Sequence, residues 1–126
     1  MKVSKIIENV KELKNGYVVE EERLKQYIND LQTKIIQEIV SGREGDNEII
    51  ANYPAIDQSS PSNAEVFAPA SYERVYAQYC AAEIDLMYED GDRYINDAAV
   101  FADTYRSLKR YWWQTHRQKR NYQYHI

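Results

Sequence analysis

Residues 87–97 read Met87-Tyr-Glu-Asp-Gly-Asp-Arg-Tyr-Ile-Asn-Asp97, "MYEDGDRYIND", with four carboxylates around one glycine. An EF-hand loop needs oxygen ligands at alternate positions before its Asp-Gly, in the pattern D-x-[DN]-x-[DN]-G-x5-E. Here Tyr88 and Leu86 stand at those positions, and neither can ligate as the pattern demands. Asp85, Glu89, Asp92 and Asp97 could cluster on a surface, but their spacing matches no ligand geometry. The simpler reading is a corner between two helices, with Gly91 as the left-handed residue that ends one and Asp92 as the cap of the next.

The flanks agree with a corner. Upstream, Tyr72, Val75, Tyr76, Tyr79, Ala82 and Leu86 form one stripe at helical spacing, opened by Pro69 and a Ser71 placed to cap. Downstream, Tyr94, Ala98, Phe101, Tyr105, Leu108 and Trp112 repeat at steps of four and three, a seam that one helix offers to another. Near the start, Val3, Ile6, Ile7, Val10 and Leu13 predict a helix over 3–14, ended by Asn15-Gly16. Leu24, Ile28, Leu31, Ile35 and Ile39 predict another over 20–40. It has acids in its first turn and Gly42 placed to end it.

Between 42 and 70 the periodicity disappears. This stretch holds all three prolines and the run Asp57-Gln-Ser-Ser-Pro-Ser-Asn63. Long irregular segments are uncommon inside a compact domain. Ile49-Ile50 and Val66-Phe67 mark the places where it is expected to dock. The expected fold is therefore all-α: a single helical domain over 1–116 with about four helices (3–14, 20–40, 72–89, 93–116). A long irregular loop (42–70) and a basic aromatic C-terminal tail (117–126) complete it.

The 126 residues suffice for one domain with a modest core. Twelve tyrosines and a mean hydropathy of −0.74 point to large amphipathic surfaces rather than a thick apolar centre. One cysteine excludes an internal disulfide and a cysteine-based zinc site. No apolar run approaches the ~18 residues of a membrane span, and the start lacks a signal-peptide core, so a soluble protein of a reducing cytoplasm is expected.

Catalytic constellations are missing as well. His116 and His125 lie in or near the tail without a nucleophile or carboxylate at telling separation. Cys80 sits among alanines as a packing residue, and four glycines leave little for a phosphate loop. Neither an enzyme nor a cofactor is implied.

Charge is segregated along the chain. All twenty acids lie in residues 1–105. Residues 106–126 carry Arg106, Lys109, Arg110, Arg117, Lys119 and Arg120 with none. A basic, aromatic end suits an acidic partner surface or nucleic acid, and cations also suit a helix C-terminus. Only Trp112 belongs to the seam. Tyr111 and Trp113 point elsewhere, as interface anchors do. Base stacking beside Arg110 and Arg117 is the competing use, but the acidity upstream weighs against a dedicated nucleic-acid binder. The candidate interaction residues are Tyr111, Trp113, Arg117, Lys119, Arg120, Tyr122 and Tyr124.

Several of these segments resemble the helical head–tail connector (adaptor or head-completion) proteins of tailed bacteriophages. The likeness rests on Ala68-Pro-Ala-Ser-Tyr-Glu-Arg-Val-Tyr-Ala-Gln-Tyr79, Ala82-Glu-Ile-Asp85, Arg93-Tyr-Ile-Asn-Asp97, Phe101 with Tyr105, and "NGYVVEEERLKQYINDLQTKI" near the start. It covers most of 1–113 through short motifs, and departs where Ser71 stands in place of a proline. The resemblance implies a structural virion protein that forms a ring, dodecameric in the usual case, under the portal. Such a ring extends the DNA channel, passes genomic DNA without reading its sequence, and supports the next neck or tail protein. It would be assembled in the host cytoplasm, without contact to a membrane. By that likeness the C-terminal tail is the portal-docking arm, the loop 42–70 reaches a neighbouring subunit, the channel or the next neck protein, and the candidate interaction residues meet the portal or neighbouring subunits. A different class of function, a small nucleic-acid-binding regulator with a helix-turn-helix in residues 3–40, is the alternative, although three glutamates at the start of its second helix suit a DNA groove poorly.

Overall fold

The computed structural model describes residues 1–61 and 63–119 and is all-α, with five helices: α1 (Val3–Leu13), α2 (Glu21–Ile35), α3 (Asp46–Asn52), α4 (Arg74–Met87) and α5 (Gly91–Thr115). The stripe of α1 buries Val3, Ile6, Ile7 and Val10. That of α2 buries Leu24, Tyr27, Ile28, Leu31 and Ile35. α2 then widens into a π-helical turn, Ile36–Val40, closed by Ser41 N–H donating to Ile36 O at 2.8 Å. A five-residue turn brings Val40 back under Ile35, so Ile35, Ile39 and Val40 are all fully buried. Gly42 follows at φ +83°, the left-handed residue that the sequence places there.

α4 is the central element. It packs against α1, α2 and α5, and buries Val75, Tyr76, Ala77, Cys80, Ala81, Ala82, Ile84 and Asp85. A helix that must bury several faces needs small residues, and its alanines and cysteine supply them. In α5 the seam lies on α4 as expected, but only Thr104, Leu108 and Trp112 are buried, so its N-terminal half is covered on one side alone.

Four expectations need correction. The segment 42–70 is not irregular throughout: Asp46–Asn52 form α3, too short to show a period, opened by Gly45 at φ +82°. The rest is pinned to the core. Ile56, Val66, Phe67 and Ala68 are buried, and Val3 and Val66 N–H groups donate to Ala64 O and Met1 O at 2.8 and 3.0 Å. Ser71 caps nothing, since it lies in a 3-10 turn, Ala70–Tyr72, and α4 begins without a side-chain cap. Leu86 is 54 % exposed, because the last turn of α4 buries Ile84 and Asp85 in its stead.

The fourth correction is the corner itself. Glu89, not Gly91, is the left-handed residue (φ +57°), and Asp90, not Asp92, is the cap. Asp90 N–H donates to Asp85 O at 2.9 Å and Glu89 N–H to Leu86 O at 3.1 Å, a Schellman closure one turn deep. The Asp90 carboxylate then accepts from Arg93 N–H and from the Tyr17 hydroxyl, at 3.4 and 3.1 Å. Because Asp90 caps α5, Gly91 becomes its first residue and the tight φ falls on Glu89.

Candidate interaction surface

The C-terminal end of α5 carries the expected residues. Tyr111 and Trp113 are each 40 % exposed, while Trp112 between them is buried against Phe67, ring centroids 4.8 Å apart. Tyr111 leans on Tyr72 at 5.4 Å. Trp113 is held more firmly. Its Nε1 donates to Ile39 O at 2.9 Å, and the Arg43 guanidinium and the Lys109 ammonium lie 4.3 and 4.5 Å from its ring centroid. Two cations on one indole form a fixed positive surface with an apolar rim.

Arg43 also closes the helix. Its Nη1 donates to the carbonyls of His116 and Trp113, at 3.2 and 3.5 Å, satisfying acceptors that α5 leaves open. Residues 117–119 do not project away as an arm. Glu44 N–H donates to Arg117 O and Lys119 N–H to Gly42 O, both at 2.9 Å, which lays the tail antiparallel along 42–44. The Lys119 ammonium pairs with Asp46. That carboxylate also accepts from Gly42 N–H at 2.9 Å and Asn47 N–H at 2.8 Å. These partners, Lys119 first, hold its pKa below the usual carboxylate value.

Tyr111, Trp113, Arg117 and Lys119 thus come together at one end of the molecule, and Arg117 is exposed there. Arg120, Tyr122 and Tyr124 lie outside the described residues, as does His125. His116 stacks on Trp112 at 3.6 Å. Arg43 and Asp46 were not foreseen. The signal for them is Gly42-Arg-Glu-Gly-Asp46, in which left-handed glycines at 42 and 45 turn Arg43 toward the end of α5 and Asp46 toward Lys119.

The acids near the corner form a second cluster. Lys14, at the end of α1, lies 2.7 Å from Asp85 and 2.8 Å from Asp97. Asp85 is fully buried, and the Lys14 side chain is 11 % exposed. Burial, and then the hydrogen bond with Asp97, raises the Asp85 pKa against the pull of Lys14. Burial disfavours the Lys14 ammonium, yet the two carboxylates more than offset this and leave its pKa raised. Of the four acids weighed as cation ligands, Asp85 and Asp97 are thus arranged around a lysine. Cys80 is buried, and burial pushes its thiol up to about 12, far from a thiolate at neutral pH.

Among the described residues no helix is long and apolar enough to cross a membrane. Comparisons with family models, curated proteins and solved structures returned no match to this chain.

Proposed function

We propose that this chain is a structural head–tail adaptor of a tailed phage. It would act without catalysis as a ring subunit beneath the portal, and carry the DNA channel toward the next neck or tail component. The observation that carries the reading is the end of α5, where half-exposed Tyr111 and Trp113 sit near Arg43, Lys109, Arg117 and Lys119. Exposed aromatics fixed by cations are the composition of a protein-contact surface. The motif residues behind the resemblance also have structural work: Tyr76 and Asp85 are buried, and Asp97 shares Lys14 with Asp85. The acid surplus of residues 1–105 suits a conduit, since repulsion keeps sliding phosphates from sticking.

The test is reconstitution. Purified protein is added to DNA-filled, portal-bearing heads that lack it, and attachment is counted by electron microscopy. The wild type is expected to attach, and a Tyr111→Ala/Trp113→Ala variant of unchanged helicity to attach at least tenfold less. No attachment by the wild type, or equal attachment by both, refutes the reading. Tight, salt-sensitive gel shifts by the isolated chain would transfer the function to the nucleic-acid regulator.

A further inference from the structure

A cleft of about 280 Å3 opens between α2 and the chain that leaves α3. Its α2 side is one helical face, Asn29, Gln32, Thr33, Ile36 and Gln37, spaced by threes and ones. The last two belong to the π-helical turn, a widening found often at functional sites. Ile50, Tyr53, Pro54 and Ala55 form the opposite wall, and Ile50 is 46 % exposed. Ile56 N–H donates to Asn29 Oδ1 at 2.9 Å and so ties that wall to α2.

Gln32, only 2 % exposed, is the buried polar residue of this cleft. Its Oε1 accepts from Phe67 N–H at 3.2 Å and from the Tyr76 hydroxyl. A backbone N–H can only donate, so the atom facing Phe67 is the oxygen and the amide cannot be turned over. Neither Phe67 nor Tyr76 borders the cleft, so the oxygen is committed to the core and the nitrogen is the polar atom left over. Gln32 Nε2 is buried, and no acceptor among the described residues reaches it. A buried donor without an acceptor is costly, and an oxygen brought from outside would remove that cost. Asn29 repeats the pattern nearer the surface, since Ile56 occupies its oxygen and its NH2 group is the part able to donate elsewhere.

Charge decides the kind of oxygen. None of the nine residues that line the cleft is charged. A carboxylate or an ammonium would lose water there without meeting an opposite charge, whereas a neutral carbonyl gives up far less. We propose that this cleft binds a neutral amide carbonyl flanked by a small apolar group, with Gln32 Nε2 as its donor. The apolar group would lie among Ile36, Ile50 and Pro54. A peptide bond beside a leucine-sized side chain has this chemistry, and so does a free small amide. The inference goes beyond the adaptor reading and does not depend on it.

The nitrogen-15-labelled full chain is titrated with N-acetyl-L-leucinamide to about 50 mM, a range that suits a guest of about a dozen heavy atoms. The side-chain NH2 signals of Gln32 and Asn29 are followed. A saturable shift of the Gln32 signal is expected, with affinity at least fivefold lower in Ile50→Asp, which sets a carboxylate on an exposed position of the wall. Should that variant lose helicity, Gln37→Glu, also at an exposed position, gives the same comparison. L-Leucinamide, an ammonium, and N-acetyl-L-leucine, a carboxylate, should each bind at least fivefold more weakly than the neutral amide. Acetyl-Ala-Leu-Ala-amide separates the two sources: affinity at least fivefold higher makes the guest a segment of a partner chain, and equal affinity makes it a small amide. No saturable shift at Gln32, equal binding of charged and neutral forms, or a wall variant that binds like the wild type overturns the inference. So does a long-lived water on the Gln32 NH2 group that the amide fails to displace.

Discussion

Replacing Lys14 by Met keeps the aliphatic stem and removes the ammonium that Asp85 and Asp97 share. Asp85 is then a fully buried carboxylate with no cation, beside a second carboxylate. Breaking a buried pair by deleting one partner costs about 3–5 kcal/mol. Since Asp97 is 32 % exposed, the lower end applies, about 3 kcal/mol at pH 7. At about 2.1 cal/mol/K per residue, the unfolding entropy of 126 residues is about 0.26 kcal/mol/K, so the melting temperature should fall by about 11 °C. The loss carries a pH signature. A carboxyl whose folded pKa is raised above its unfolded value destabilises most above the folded value, and ceases to do so as acid protonates it. Without Lys14 the Asp85 pKa rises further, so the deficit should shrink between pH 7 and pH 5. Asp97, whose folded pKa is lowered, gives up its contribution only below about pH 4. The raised pKa of Lys14 keeps the wild-type ammonium charged throughout. Urea denaturation of both proteins at the two pH values measures the difference. A deficit under 1 kcal/mol at pH 7, or one of equal size at pH 5, refutes the assignment.

Glu89→Gly relieves a left-handed residue in the corner and should stabilise by about 1 kcal/mol, raising the thermal midpoint by about 4 °C. Tyr76→Phe removes the hydroxyl that donates to Gln32 Oε1 and accepts from Ala68 N–H, and should cost about 2 kcal/mol in urea denaturation. Asp46→Ala frees Lys119 and Gly42 N–H, and hydrogen exchange at the Glu44 and Lys119 amides should quicken at least tenfold while α4 keeps its protection.

Fold class was legible because the helices that matter are long enough to show their period. The stripe from Val75 to Ala82 lies on α4, and that from Tyr94 to Trp112, about five turns long, lies on α5. α3 escaped because seven residues between Gly45 and Pro54 hold barely two turns, with Asp46 as their one buried residue. The sequence reading puts the corner two residues late because a glycine is the natural left-handed residue. Asp90 is already committed to capping α5, and propensity alone cannot weigh that. Of the interaction residues, the outward pointing of Tyr111 and Trp113 followed from the Trp112 phase. The partners of Trp113 did not, since Ile39 and Arg43 are distant in sequence, and cation placement leaves no periodic trace.

The two β-bridges, Lys2 with Glu65 and Arg43 with Gln118, each clip one end of the described chain to a segment half a chain away. In kinetic terms this makes an all-helical protein topologically slow. Helical bundles fold fast because most of their contacts are local, and each distant clip adds loop-closure entropy before it gives any return. The middle of the chain, with α3 and the docked 64–68 segment, must therefore be in place before either end can settle. During synthesis the first helix would wait for residues beyond 60 to emerge, and the 42–46 segment would stay open until the last turn of α5 has left the ribosome.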